Sequence, residues 1–369
     1  MRKKQVAVID VGSSKITAVI GERGINKTFI IKGNYSYDYD GYDDGAFFDV
    51  GKLKRILYQV AESIRSSTNV LDGIYVGVPG EFTKVIVKES QISFDKKKKI
   101  QVADIDALFD SAFIMNINQH TLINRSAIVY ELDDFRRIAY PEGIQSEILK
   151  GKLSFVVCSD YFINVVKNTL IDAGLKNIDC VSSVLAQALY LVEPETRDRV
   201  AIILDVGYIS TTFSIIQGDG IMYQNSFSFG GGYLTASLVD KFDIDMDVAE
   251  KLKRKVNLSS ISQASNTDII EADNGKYYNV EEIKAVLKNT LEVLCEKVND
   301  AFDDCGLIIP EYVPLFITGG GISYLRGAKE YVSNRLGMMV DVIAPKVPMM
   351  DKPSESTILS LLDLALDQN

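Results

Sequence analysis

The chain has 369 residues, 47% of them hydrophobic, with 40 basic and 50 acidic residues and a net charge of −10, which is enough apolar material for more than one core. The acidic balance excludes a general nucleic-acid binder, which needs a basic face for phosphates, and a broadly basic membrane-binding surface. Cys158, Cys180, Cys295 and Cys305 form no C-x-x-C pair and His120 is the single histidine, so a zinc site lacks ligands at suitable spacing and free thiols in a reducing cytosol are expected.

The N-terminus is basic, but Asp10 interrupts the apolar stretch behind it, and no run reaches the ~18 apolar residues of a membrane span. A soluble chain without an export signal is therefore predicted. Residues 5–11 are rich in Val and Ile, end in Asp10-Val11-Gly12, and read as a buried strand. Ser13 and Ser14 make a tight turn, and residues 15–22 and 28–34 read as the next two strands. Residues 35–45, rich in Asp and Tyr, predict a polar surface loop. Residues 50–66 have helical spacing through Leu53, Ile56, Leu57, Val60 and Ile64.

An irregular stretch follows. Residues 81–94 alternate as a strand, the four lysines at 96–99 read as a solvated hairpin tip, and 102–117 read as an amphipathic helix with His120 on the surface beside its end. Residues 126–132 and 153–159 predict strands; 161–173 and 183–192 predict helices. From residue 200 the opening plan returns. Residues 201–206 form a strand ending in Asp205-Val206-Gly207, and 210–216 and 222–229 form two more. Two copies of one strand-turn-strand pattern indicate two similar α/β domains facing each other. Beyond Gly230-Gly231-Gly232, helices are predicted at 234–242, 247–255 and 280–305, with Asp247 and Glu250 as a capping box. A strand at 314–318 runs into Gly319-Gly320-Gly321, and an acidic amphipathic helix at 354–366 closes the chain.

Phosphate groups need backbone N–H donors at close range, so glycines and small hydroxyl residues are expected around them. Three such elements follow strands: Asp10-Val11-Gly12-Ser13-Ser14-Lys15, Asp205-Val206-Gly207-Tyr208-Ile209-Ser210-Thr211, and Thr318-Gly319-Gly320-Gly321. Each Asp stands at a strand end, where it could hold a magnesium ion through water.

In this order the three elements resemble the actin-like ATPase superfamily, and within it the bacterial cell-division family FtsA. VIDVGSSKI is similar to the family's first phosphate loop, LDVGYISTT to its second, FGGGYLTASL with VAEKLK to the stretch leading into the adenosine-contacting helix, and FITGGGISYLRG to the late adenosine loop. PilM, a pilus protein with the same insertion and similar loops, is the close alternative. The resemblance implies an α/β, actin-like (ribonuclease-H-like) fold with duplicated domains and a small inserted α/β subdomain. It places the first domain at residues 1–82 and 161–199, the insertion at 83–160, the second domain at 200–235 and 310–369, and a helical, nucleotide-contacting subdomain at 236–309.

The resemblance further implies ATP and Mg2+ as ligands. Gly12, Ser13, Ser14 and Lys15 would surround the phosphates from one side and Gly207, Ser210 and Thr211 from the other, with Asp10 and Asp205 positioning magnesium. Gly231 and Gly232 would lead into the nucleotide-contacting helix. Glu250 and Lys253 would touch ribose or adenine, and Gly319, Gly320 and Gly321 would let the backbone approach the base. Tyr208 and Ile209 stand where two further glycines are usual, Thr212 where an acid is common, and Ser183 at the place of a water-orienting glutamate, with Gln187 one turn later as its catalytic substitute. Orienting water is a large part of phosphoryl transfer, so binding with weak or absent hydrolysis is implied. Thr290 replaces an arginine that docks the FtsZ tail. The implied function is a cytoplasmic cell-division scaffold that self-associates into filaments at the inner face of the membrane and meets the FtsZ C-terminal tail. It would reach the membrane indirectly or through a segment absent from this chain, because the last helix is acidic where the FtsA anchor is basic. The other readings are a PilM-like pilus assembly adaptor and a small-molecule kinase of the same fold.

Overall fold

A computed structural model describes residues 4–68, 70–113, 117–259, 269–310 and 312–367. Two five-stranded sheets organise the chain and share one topology. The first runs Phe29–Asp38, Lys15–Arg23, Gln5–Val11, Gly73–Val78, Ile178–Ser182; the second runs Gly220–Ser228, Ser210–Gln217, Ala201–Val206, Leu315–Thr318, Val340–Val342. In both, three strands form an antiparallel meander and two more add in parallel. The register also repeats: Asp10 lies opposite Thr17, and Asp205 opposite Thr212.

The fully buried runs Val6-Ala7-Val8-Ile9 and Ala201-Ile202-Ile203-Leu204 explain why these strands are central, since a strand covered on both faces is apolar throughout. Helix Val50–Ser67, capped by the Asp49 side chain accepting from Lys52 N, buries Leu53, Leu57, Val60 and Ile64 against the first sheet. Helix Val280–Asp304 does the same for the second with Ile283, Leu287, Leu291 and Leu294. The last helix, Ser356–Asp367, returns to the first half and packs Leu359, Leu361 and Leu362 with Val6, Val8 and Val19. The chain therefore passes between the halves twice, before the first strand of the second sheet and after its last.

Strands Thr83–Lys99, Gln145–Ser159, His120–Leu132 and Arg137–Ile138 build a third sheet. Helix Val102–Ala112 covers one face, closing a core of Leu108, Phe109, Leu149, Leu153 and Phe155. The opposite face meets the second half. Ser154 Oγ donates to Ile221 O at 2.7 Å, Asp219 N donates to Ala127 O at 3.2 Å, and Gln224 Nε2 donates to Gly80 O and Thr83 Oγ1, both at 2.8 Å. Gly218 is required here: its φ is +57°, and a Cβ would sit 2.0 Å from Ile128 O. Buried Arg197 fixes this turn through Gly218 O at 3.1 Å and Asp219 Oδ1 at 2.7 Å.

Several local expectations change. The third strand continues to Asp38, so Tyr35 and Tyr37 lie in a sheet, and Tyr39 and Tyr42 beyond it are buried. Lys96–Lys99 is strand, not a tip: Lys98 and Lys99 pair with Ser146 and Gln145, and Lys98 bonds Asp104 at 2.7 Å. The helix expected at 102–117 ends at Ala112; residues 114–116 lie outside the described ones. His120 opens a strand. Helix Met246–Lys255 has Asp245 at its N-cap without a side-chain cap, so Asp247 lies within the first turn and the expected box of Asp247 with Glu250 does not form. Strands Gly73–Val78, Ile178–Ser182 and Val340–Val342 were not expected from the sequence. All four cysteines are free. Among the described residues no helix is long and apolar enough to cross a membrane.

Candidate functional site

The carboxyl ends of the two central strands meet at a cleft of about 530 Å3 between the halves, the position at which parallel α/β sheets present their ligand loops. Each strand passes into the same turn. Gly12 N donates to Lys15 O at 3.0 Å, and Gly207 N donates to Ser210 O at 2.9 Å. The turns touch, with Ile209 N donating to Ser13 Oγ at 3.1 Å. Tyr39 straps the first turn from behind: its N donates to Ser14 O at 3.1 Å and its hydroxyl to Gly12 O at 2.7 Å. Ser13, Ser14, Lys15 and Ser210 all line the cleft.

Asp10 and Asp205 share the floor. Burial and the neighbouring Asp205 push the Asp10 carboxyl up to about 7, against a smaller opposing pull from Lys15. Burial also raises Asp205, and the Gln187 amide partly offsets it. Two neighbouring carboxylates, both raised by burial and one also by the other's charge, fit a hydrated divalent cation. Among the described residues no three His, Cys, Asp or Glu side chains converge on one point, so magnesium would draw its remaining ligands from water and phosphate. Asp10 and Asp205 would hold it, and it would supply charge neutralisation at the phosphates.

Gln187 does not reach the cleft. It is 1% exposed, and its Nε2 donates to Asp205 Oδ2 and to Thr357 Oγ1, both at 2.8 Å. It positions Asp205 from behind rather than meeting a reacting water. Ser183 is the residue at the cleft: it opens helix Ser183–Leu191, and its Oγ is buried without a partner.

Beside Asp205, Gly319 has φ +84° and a Cβ there would lie 2.4 Å from Asp205 Oδ1. Gly320 and Tyr324 continue this wall; Tyr324 hydrogen-bonds Ser354 Oγ at 2.7 Å, and the Arg254 guanidinium sits over its ring at 5.8 Å. Glu250, Lys253 and Gly321 line a small recess that shares Arg254, Gly320 and Tyr324 with the cleft. Both Glu250 oxygens are occupied, Oε2 by Thr235 and Lys253 and Oε1 by Arg254. Lys253 Nζ also donates to Gly231 O at 2.9 Å and Thr235 Oγ1 at 2.8 Å.

The remaining expected residues stand behind the wall. Gly231 N and Gly232 N donate to Gly207 O and Tyr208 O at 2.9 and 2.8 Å, so those amides hold the second loop. Thr211 Oγ1 donates to Phe229 O at 2.7 Å. Tyr42, Gly80, Arg254, Tyr324, Lys352 and Ser354 also line the cleft and were missed by sequence reasoning. They arrive from distant segments. Only the tyrosine density of residues 35–42 and the FITGGGISYLRG motif signalled two of them.

A family model described as cell division protein FtsA matches residues 202–360. The cell division protein FtsA of Staphylococcus epidermidis is 21% identical, with 99% of this chain and 80% of that protein covered. Among solved structures, a PilM-PilN type IV pilus biogenesis complex superposes with TM-score 0.63 at 16% identity, covering both chains in full. MreB5 of Spiroplasma citri, bound to AMPPNP, gives 0.53 at 12% identity over 99% of this chain and 96% of that one. The fold is actin-like, and the resemblance to FtsA extends over nearly the whole chain.

Proposed function

We propose that this chain is an ATP-binding, actin-like scaffold of bacterial cell division, cytoplasmic and acting at the inner face of the membrane, whose association is set by nucleotide occupancy. The observation that carries the reading is the contact of two equivalent Asp-x-Gly turns, one from each half, through Ser13 and Ile209 over a shared carboxylate pair. A triphosphate placed there would take backbone N–H groups and hydroxyls from both turns, with Lys15 adding a charge. Because each half supplies one turn, occupancy biases the angle between halves. The first domain, inserted subdomain, second domain and helical subdomain then act as the moving parts.

Hydrolysis is proposed to be weak. Ser183 has no acid to order the attacking water, Gln187 is committed to Asp205 and Thr357, and Thr212 Oγ1 is shared with Ser226 Oγ at 2.9 Å. Self-association and recruitment of division partners are the proposed outputs. An FtsZ-tail contact would have to do without a charge at Thr290, whose hydroxyl bonds Val286 O at 2.9 Å. The full-length likeness to PilM favours one second reading, a pilus assembly adaptor that also uses occupancy rather than turnover.

Thermal melting with and without magnesium-ATP tests the proposal. A native-state ligand raises the melting temperature by mass action, and Gly320→Val should abolish the rise by filling the base wall. An unchanged wild-type curve at millimolar ATP overturns it.

A further inference from the structure

Tyr208 is the bulky residue of the second turn. Its carbonyl accepts from Gly232 N at 2.8 Å, which fixes the backbone, and its ring lies against Gly232, where a Cβ would come within 3.2 Å of Cε1 and Cζ. Glycine at 232 is what makes room for the ring. The side chain lines the cleft and is 38% exposed. Burial, then the carboxylates of Glu250 and Asp247, push the phenol up.

Three polar side chains nearby are committed. Glu250 is held by Thr235, Lys253 and Arg254, Lys253 by Gly231 O and Thr235, and the Tyr324 hydroxyl by Ser354. The Tyr208 hydroxyl forms no hydrogen bond with the described residues. Tyr208 belongs to the phosphate turn and lines the same cleft as Gly320 and Tyr324, and Glu250, whose charge acts on the phenol, lines the recess beside them. A nucleotide is linear in its chemistry, phosphate then sugar then base. The group between the turn and the Gly320–Tyr324 wall is the sugar. A phenol supplies an aromatic face for the apolar side of a furanose and a hydroxyl that both donates and accepts.

We infer that Tyr208 selects the sugar of the bound nucleotide, packing its ring on the ribose and hydrogen-bonding one ribose hydroxyl. The inference rests on the nucleotide reading above. A site built to bond a hydroxyl discriminates against a ligand lacking it, so this chain distinguishes ribo- from deoxyribonucleotides through a residue of its phosphate turn.

Calorimetric titration of wild type, Tyr208→Phe and Tyr208→Gly with ATP, 2′-deoxy-ATP, 3′-deoxy-ATP and inorganic tripolyphosphate tests it. Wild type should favour ATP over one deoxy analogue by roughly 3- to 10-fold, the worth of one hydrogen bond. Tyr208→Phe should weaken ATP by that factor and lose the preference, while its melting curve and tripolyphosphate affinity stay unchanged. Tyr208→Gly should weaken all three nucleotides further by removing the ring. Nucleotide binding with an unaltered preference in Tyr208→Phe overturns the sugar assignment alone. No nucleotide binding to wild type overturns the parent reading, and this inference with it.

Discussion

The side-chain nitrogen of Gln187 is shared between Asp205 Oδ2 and Thr357 Oγ1, both at 2.8 Å. One amide thus ties a carboxylate of the second half to the helix by which the chain returns to the first. Gln187→Leu should destabilise the protein by about 1–3 kcal/mol, because a buried carboxylate loses a donor. Gln187→Glu should cost more at pH 8 than at pH 5, since a further carboxylate then faces Asp205. Urea unfolding at both pH values reads the difference; equal loss would mean that the position fills space only.

A second prediction concerns pH. The Asp10 carboxyl is raised from 3.8 to about 7, so between those values the folded protein holds a proton that the unfolded chain has released. Stability without nucleotide should fall as pH rises through that window and level off above it. Asp205, raised in the same direction, adds to the slope. Asp10→Asn should flatten it, and saturating magnesium-ATP should do so in wild type. Denaturation midpoints across the window check both.

Ser183 offers a gain-of-function test. Its hydroxyl is buried without a partner at the start of a helix facing the cleft. Ser183→Glu should raise ATP turnover by roughly 10²-fold, the lower end of what a positioned acid or base contributes. A fast wild-type rate, or no gain in the variant, would refute the slow-turnover mechanism.

Gly319 tests the floor. A side chain there meets both a φ of +84° and Asp205 Oδ1 at 2.4 Å. Gly319→Ala should cost about 1–3 kcal/mol through backbone strain and weaken magnesium-ATP by displacing Asp205. Parallel melting and titration experiments separate the two effects.

The phosphate turns were legible because their geometry is local. Gly12 bonds Lys15 and Gly207 bonds Ser210, so four consecutive residues carry the signal, and the repeat doubled it. Tyr42, Arg254 and Ser354 reach the cleft through long-range folding, which no short window records. Tyr39 looked like surface because tyrosine is amphipathic; Gly12 O, which takes its hydroxyl, lies 27 residues away in the chain. Strand Gly73–Val78 is short and interrupted by glycine, and its parallel partners lie far off in sequence. Gln187 did leave a trace. It is the one polar side chain after Ser183 in the otherwise apolar helix Ser183–Leu191, and a lone amide in such a helix signals a buried partner.

The contacts between the third sheet and the second half lie near one end of that sheet. Thr83 receives Gln224, and Ser154, which pairs with Val87, bonds Ile221. Lys99 and its partner Gln145 stand at the far end of the same ladder. At ~3.3 Å per residue, the 17-residue strand Thr83–Lys99 is about 55 Å along its path. The insertion is thereby a lever gripped at its base as far as Ala127, which shares the partner Leu153 with Lys88: at ~3.3 Å per residue roughly 36 Å of strand extends beyond, and a ~5° swing carries its far end through roughly 3 Å. A displacement too small to disturb the core would thus become, at Lys99, a shift on the scale of a side chain.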